Sequence, residues 1–161
     1  MAMEKYFSPE EMIVSKTDLQ GNIVYGNKLF IEMSEYSERE LLGKPHNIIR
    51  HPDMPAVIFK YLWDTLKSEK EVNAYVKNRS KNGNYYWVFA NVTPSFNKEH
   101  KVIGYHSARR KPDSEILKKI IPLYQTLLEA EKSGGVEKSF QLLLNLLNDK
   151  GVSYEEFIFN V

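Results

Sequence analysis

The sequence predicts an α+β fold, with one five-stranded antiparallel sheet that carries short helices on one face. Residues 85–93, YYWVFANVT, are aromatic and β-branched and form the strongest predicted strand. Another β-prone run precedes them and a third strand follows, which indicates an antiparallel meander. Two short β-prone runs near the N-terminus, and several capped helical patterns before the meander, complete this prediction.

The N-terminal region predicts one helical turn followed by a hairpin. Ser8 can cap the turn, Pro9 suits its first position, and Glu11 completes a capping box. Residues 12–16 and 23–25 are β-prone and flank a turn-rich spacer at 18–22. We therefore expect these two strands to form a hairpin that joins the sheet of the meander.

Three helical segments are predicted between the hairpin and the meander. Asn27 can cap the first, in which apolar residues recur at helical spacing up to Met33. Ser37 and Glu40 form a capping box for the second, and Gly43 is suited to end it. Residues 56–70 form the strongest of the three helical patterns.

The meander comprises residues 71–79, 85–93 and 102–109, with an Asn-Gly turn signal between the first two. Pro94 is expected to end the second strand. Beyond it, Asp113 or Ser114 can cap an amphipathic helix that Pro122 should kink or restart. The pair Gly134-Gly135 separates this helix from another at 136–147, which predicts an αα-hairpin. Residues 154–161 fit a short helix or an extended apolar tail.

Composition excludes several classes of function. The formal net charge is +1, which gives no strong field for nucleic acid or an anionic membrane. The sequence has no cysteine, so disulfides, Cys-ligated zinc, iron–sulfur clusters and a flavin–cysteinyl adduct are excluded. No apolar run approaches the roughly 20 residues of a membrane helix, and no signal peptide is recognisable. We expect a cytoplasmic protein without direct membrane insertion.

Residues 43–55, GKPHNIIRHPDMP, form the most unusual stretch of the chain. Three prolines stiffen it and disfavour a long helix. Arg50, His51 and Asp53 are gathered within it. From the residues alone, a salt-bridged surface loop and a cofactor-binding loop are equally open, because guanidinium suits phosphate but also pairs with surface carboxylates.

The layout and five segments resemble the FAD-binding PAS domain of bacterial aerotaxis (energy-taxis) receptors. The segments are DLQGNIVYGNKLF, EYSERELLGKPHNIIRHPDMP, WDTLKSEK, VKNRSKNGNYYWVFANVTP and GYHSARR. The resemblance covers roughly residues 12–112. It implies an N-terminal cap segment at 1–11, a PAS sensor domain at 12–112 and a helical appendage for interaction at 113–161. The size of the chain is most similar to the small soluble PAS subunits of bipartite energy-taxis systems.

The resemblance implies FAD as cofactor and a set of binding residues. Arg50 would pair with the pyrophosphate or the adenine ribose, while His51 and Asp53 would contact the cofactor or hold the loop. Asn78 would bind the pyrimidine edge of the flavin through its amide. The alternative for Asn78 is side-chain pairing between strands. Asn27 caps a helix in either case and would also touch the cofactor.

Two tryptophans are candidates for stacking. We expect Trp63, on the helix after the proline-rich stretch, to line the pocket. Val88 and Ala90 share one strand face and would leave room for a planar ligand. Trp87 would then point to the other face and pack beneath terminal helices.

The remaining polar residues are given ordinary roles. The run from Arg109 to Lys111 is interpreted as a solvated strand end. His46, His100 and His106 are expected to be surface or core residues. No catalytic or metal-ligating residue is predicted.

The predicted function is that of a non-enzymatic redox sensor. FAD would change its redox state, and the sheet would relay that change to a membrane-bound chemotaxis receptor or signalling protein. A homodimer through the N- or C-terminal helices is also compatible with the resemblance. The alternatives are a cofactor-free PAS interaction module and, with less support, a haem sensor or a small flavin reductase. The sequence has no GxGxxG fingerprint for a nicotinamide cofactor.

Overall fold

The computed structural model describes residues 1–159 and contains one five-stranded sheet. All neighbouring strands are antiparallel, in the order β2-β1-β5-β4-β3. The hairpin therefore joins the meander through β1 and β5, which confirms the predicted α+β class. The strands are β1 (Ile13–Thr17), β2 (Ile23–Gly26), β3 (Val72–Arg79), β4 (Tyr85–Phe96) and β5 (Val102–Arg110).

Short helices separate β2 from β3, and two further helices follow β5. The predicted caps form: the Asn27 side chain accepts the Phe30 N–H, and Ser37 and Glu40 make a complete capping box. Gly43 follows the second helix with φ 83°, the left-handed conformation that glycine favours. The helices are α1 (Lys28–Ser34), α2 (Glu38–Leu41), a 3₁₀ helix (His46–Ile49), α3 (Ala56–Lys67), α4 (Ser114–Lys150) and α5 (Tyr154–Phe159).

The structure refines one local prediction and contradicts another. Around Ser8 the capping bonds form, with Glu11 Oε1 accepting the Ser8 N–H at 2.9 Å, but only a turn results. The prediction that Pro94 ends β4 is wrong, because the strand continues to Phe96 and Pro94 pairs with Tyr105. The pairing of β4 with β3 ends at Val92, so Pro94 lies where one edge of β4 is open. A proline can occupy such an edge because no ladder bond is lost there.

The C-terminal region forms the predicted αα-hairpin. Gly135 is the only residue inside α4 with non-helical dihedrals, φ 78° and ψ −175°. Ser139 Oγ lies 3.0 Å from Glu131 Oε2, which requires the chain to fold back at this glycine. The helix does not restart at Pro122. No helix within residues 1–159 is long and apolar enough to cross a membrane. Of the C-terminal segment, the structure shows α5 as a helix, and residues 160–161 lie outside the described range.

The two faces of the sheet are covered by different parts of the chain. Along β4, Val88 and its even-numbered neighbours face the helices α1–α3, which follows from the period of two in a strand. Trp87 faces the opposite side, where its ring centroid lies 6.0 Å from that of Tyr124 in α4. The expectation that terminal helices cover Trp87 is confirmed. The first face therefore contains the space available for a ligand.

Candidate functional site

A cavity of about 480 Å³ lies between the inner face of the sheet and the helical segments. Strands β1, β3, β4 and β5 form its floor, while the 3₁₀ helix and α3 form its roof. Cavities of roughly 300–1,000 Å³ are typical of small-molecule and cofactor sites. The protein core thus contains a space that its own side chains leave open.

The proline-rich stretch 43–55 forms one wall of this cavity and is attached at both ends. The His46 N–H donates to the carbonyl of Gly21 at 2.9 Å. At the other end, Arg50 forms an isolated antiparallel bridge with Asn78 of β3. These backbone bonds hold the wall against both edges of the sheet.

Four of the predicted residues line the cavity: Arg50, Trp63, Asn78 and Ala90. Arg50 is an exposed residue, and its Cζ lies 4.0 Å from the ring centroid of Phe59. Asn78 is 4% exposed, and its Nδ2 atom has no hydrogen-bond partner within residues 1–159. The predicted binding face of β3 therefore does point into the cavity.

Asn27 and Val88 do not line the cavity. Three hydrogen bonds hold the Asn27 amide: Oδ1 accepts the N–H groups of Val14 and Phe30, and Nδ2 donates to the Met12 carbonyl at 2.9 Å. Asn27 therefore caps α1 and ties it to β1. Val88 is completely buried on the same sheet face as Ala90. A cofactor contact for either residue stays a prediction.

His51 and Asp53 belong to the stretch 43–55 but do not line the cavity. His51 Nδ1 accepts the Asp53 N–H at 3.0 Å, and Asp53 pairs with Lys77 at 3.2 Å. Burial, followed by the nearby Lys77, lowers the pKa of His51, so its ring is an uncharged acceptor at neutral pH. These contacts favour the loop-holding role among the two roles considered for His51 and Asp53.

The prediction that Arg109 belongs to a solvated strand end is wrong. Arg109 is 3% exposed and lines the cavity, as do Ser15 and His46. Alternation along β5 could have revealed it, because Ser107 and Arg109 share a face with the cavity residue Tyr105. The basic sequence Arg109-Arg110-Lys111 instead favoured the prediction of a solvated strand end, since consecutive charges usually indicate a solvated segment.

The buried residues Arg109 and Ser15 form a polar cluster with the partly buried His46. Arg109 Nη2 donates to Ser15 Oγ, and Ser15 Oγ lies 2.8 Å from His46 Nε2. His46 Nε2 is also 3.3 Å from Arg109 Nη1. Burial, followed by the charge of Arg109, lowers the pKa of His46 to about 3, so the imidazole is neutral at physiological pH.

The charged residues that line the cavity are all basic: Arg50, Lys60 and Arg109. Arg50 and Lys60 lie at the exposed end, whereas Arg109 lies at the buried end. No carboxylate lines the cavity among residues 1–159. Lys60 Nζ pairs with Asp64 at 2.6 Å, whereas no salt bridge within residues 1–159 neutralises Arg50 or Arg109, so these two arginines suit an anionic ligand.

The buried end of the cavity has hydrogen-bond donors without acceptors. Within residues 1–159, the cavity-lining residues Thr17, Asn78 and Arg109 each have a buried atom without a partner (Oγ1, Nδ2 and Nε), and the Tyr86 hydroxyl, outside the lining, also has none. Buried donors normally have partners, so these groups point to a ligand that presents several acceptors. No cluster of three or more metal-binding side chains occurs in the same range of residues.

An antiparallel sheet in the order β2-β1-β5-β4-β3, with helices enclosing a cavity over one face, is the architecture of a PAS sensor domain. Residues 23–109 match the family described as PAS fold, and the chain belongs to that family.

The relatives of the chain are signalling proteins. It is 42% identical over 126 residues to the aerotaxis receptor of Escherichia coli K12, covering 78% of this chain and 25% of that protein. It is 27% identical over 118 residues to the nitrogen fixation regulatory protein of Klebsiella oxytoca, covering 73% and 24%. The chain therefore spans about a quarter of the length of these relatives.

The solved structures confirm the fold. The light state of the blue-light photoreceptor Aureochrome1 LOV aligns with a TM-score of 0.61 at 18% identity, covering 68% of this chain and 88% of that one. The resemblance to the PAS domain of aerotaxis receptors, inferred above from motifs, is likewise confirmed by the 42% identity.

Proposed function

We propose that this chain is a cytoplasmic redox sensor that binds FAD in the PAS cavity and relays the redox state of the flavin to a chemotaxis receptor. The observation that carries the proposal is the charge and donor pattern of the cavity. It has basic residues at both ends, unpartnered donors at the buried end and no lining carboxylate within residues 1–159.

The cavity residues fit the parts of FAD. Arg50 at the exposed end suits the pyrophosphate, because a guanidinium fork pairs well with phosphate oxygens. Asn78 at the buried end suits the pyrimidine edge, which offers two carbonyl oxygens and one N–H to an amide. Trp63 supplies an aromatic surface in the cavity lining, with its ring centroid 5.3 Å from that of Tyr105.

The chain's own residues provide the means of relay. FAD supplies the electron-accepting chemistry, and the protein reads the resulting change in charge and hydrogen bonding. Asn78 lies on β3, whose opposite face carries Tyr75, and the carbonyl of Tyr75 accepts the hydroxyl of Tyr124 in α4 at 2.6 Å. A change of hydrogen bonding at Asn78 thus has a short structural route to the C-terminal hairpin, which would contact the partner.

The 42% sequence identity to an aerotaxis receptor supports a chemotaxis receptor as the partner. The main alternative is a cofactor-free interaction module, in which side chains would fill the core. The open cavity of about 480 Å³ and its unpartnered donors favour a bound ligand over that alternative.

Absorbance tests the proposal directly. Purified protein, reconstituted with excess FAD and then desalted, should retain an absorbance band near ~450 nm. Asn78→Ala and Arg50→Ala should each reduce the retained flavin, whereas the exposed matched control Arg110→Ala should retain as much as wild type. A wild-type protein that stays colourless would refute flavin binding. Unchanged occupancy in both variants would refute the assigned contacts.

Two further measurements separate the alternatives. Steady oxidation of NAD(P)H at catalytic rates would support a reductase over a sensor. Tighter binding of FAD than of riboflavin, lost in Arg50→Ala, would support the pairing of Arg50 with the diphosphate.

A further inference from the structure

We infer that Arg109, supported by Ser15 and His46, forms a subsite at the buried end of the cavity for the acceptor-rich, negatively polarised edge of the ligand. The inference rests on the proposed role of the cavity as a ligand site. It assigns a ligand contact to a residue whose sequence context suggested solvent exposure.

Arg109 carries a buried charge that the protein does not neutralise. The residue is 3% exposed, and no carboxylate within residues 1–159 forms an ion pair with it. Its contacts are with Ser15, with His46 and with the face of the Phe30 ring, whose centroid lies 4.9 Å from Cζ. Buried arginines are normally paired, because removing an ion from water is costly.

The hydrogen bonds of the cluster have a fixed direction. A guanidinium can only donate, so His46 Nε2 must accept and the proton of the neutral ring lies on Nδ1. Ser15 Oγ accepts from Arg109 and can donate its own proton to His46. Ser15 and His46 therefore orient the guanidinium with neutral groups only, and its positive charge stays available to a ligand.

The unused donors near Arg109 define what the subsite can accept. No hydrogen-bond partner is present within residues 1–159 for Arg109 Nε, the Tyr86 hydroxyl or Asn78 Nδ2. Burial raises the pKa of Tyr86 to about 12, and the charge of Arg109 followed by the Asn78 side chain opposes this rise, although no Asn78–Tyr86 contact meets hydrogen-bond geometry. Arg109 and Asn78 line the cavity and thus present donors to a ligand, whereas Tyr86 is fully buried outside the lining.

Hydrogen-bond donors beside a cation without a salt bridge determine which class of ligand can bind. A planar heterocycle with adjacent carbonyl oxygens, such as a pyrimidine-dione, satisfies the donors and can take up negative charge beside Arg109. An amine or a cationic heterocycle would meet donors and like charge. Within the proposed function, the edge placed against Arg109 and Asn78 is the dione edge of the flavin.

The structural alternative is that Arg109 only ties β5 to β1 and to the wall at His46. The two roles differ in the ligand-free protein. A purely structural arginine stabilises the fold, so its replacement lowers the melting temperature. A buried cation that serves to bind a ligand destabilises the protein when the ligand is absent. Replacing Arg109 with an apolar side chain of similar length then leaves the melting temperature unchanged or raises it.

The experiment compares wild type, Arg109→Met, Arg109→Lys and the exposed neighbour variant Arg110→Met. Flavin is removed from each, the melting temperature is measured, and FAD affinity is determined by titration. We expect Arg109→Met to bind FAD about tenfold to hundredfold more weakly, with no loss of ligand-free melting temperature. Arg109→Lys keeps the charge and should retain part of the affinity, and Arg110→Met should behave as wild type.

The outcomes separate this inference from the proposed function. Wild-type FAD affinity in Arg109→Met would overturn the subsite and leave flavin binding intact. A lower ligand-free melting temperature, or a failure to fold, would also overturn it in favour of the structural role. If wild type binds no FAD, the proposed function fails, and the ligand-free melting temperatures still decide whether Arg109 is a structural tie or a retained charge.

Discussion

Glu131 and Ala56 are 75 residues apart in the sequence, yet a carboxylate oxygen of Glu131 accepts the backbone N–H of Ala56 at 2.8 Å. The second oxygen accepts the N–H of Val57 at 3.0 Å and the hydroxyl of Ser139 at 3.0 Å. The residue before α3 is Pro55, which has no side-chain cap to offer. The C-terminal hairpin therefore caps the helix that roofs the cavity.

We predict that Glu131→Gln destabilises the protein by about 1 kcal/mol, in the range of a lost helix cap. The neutral amide keeps the size of the side chain but offers one oxygen instead of two and has no charge at the helix N-terminus. Urea denaturation measures the change, and faster hydrogen exchange at Ala56 and Val57 locates it. Glu129→Gln is the matched control, because Glu129 is exposed on the same helix; an equal effect there would contradict the capping role.

The fold could be predicted because local sequence patterns, such as helix caps and strand alternation, specify its elements. The capping box at Ser37 and the alternation along β4 specify their elements without long-range information. The prediction that Pro94 ends β4 was wrong because a proline is tolerated only where the neighbouring strand β3 has already ended. The end of that pairing is a property of the tertiary structure. The capping of α3 by Glu131 could not be predicted either, since nothing in the sequence near Ala56 indicates a partner 75 residues away.

The site was only partly predictable for a related reason. Arg50 and Asn78 lie in distinctive motifs, and the structure places both at the cavity. Arg109 lies in a basic run, and only its pairing with β1 brings it to Ser15 and buries it. Burial of a charge against another strand is a result of tertiary packing, so a local pattern cannot report it.

We predict that Tyr124→Phe loosens the C-terminal hairpin from the sheet. The Tyr124 hydroxyl donates to the Tyr75 carbonyl at 2.6 Å and also contacts the Tyr154 hydroxyl. Its removal leaves buried polar groups without a partner, so the free energy of unfolding should fall by about 1–3 kcal/mol. Chemical denaturation checks the value. Tyr25→Phe, at a residue that is 45% exposed, should have little effect. Equal stabilities for the two variants would rule out a tie at Tyr124.

Two buried asparagines on β3 should respond oppositely to the same substitution. Asn73 is satisfied by Asn91, whose Nδ2 donates to its Oδ1 at 2.9 Å, and by Glu155 at 3.3 Å, whereas Asn78 Nδ2 has no partner within residues 1–159. We expect Asn73→Leu to lower ligand-free stability by about 1–3 kcal/mol and Asn78→Leu to leave it unchanged or raise it. Melting curves without flavin test this contrast; a comparable loss in both variants would show that Asn78 is structurally satisfied.

We predict an acid-sensitive stability that is traceable to His46. Its pKa is lowered to about 3 in the folded protein, first by burial and then by Arg109, whereas the unfolded value is near ~6.5. Below pH ~6.5 the unfolded chain takes up a proton that the folded protein does not, so stability falls with falling pH by about 1.4 kcal/mol per pH unit, until about pH 3.

The His46→Gln variant isolates this contribution, because glutamine can accept a hydrogen bond at a similar position and does not titrate. The stability difference between wild type and His46→Gln, measured by urea denaturation without flavin, should change by roughly 2 kcal/mol between pH 7.5 and 5 in favour of the variant. Carboxylates titrate equally in both proteins and cancel in the difference. A difference that does not vary with pH would mean that the folded protein accommodates a protonated His46, and that the ring is accessible to water or to an anion beside Arg109.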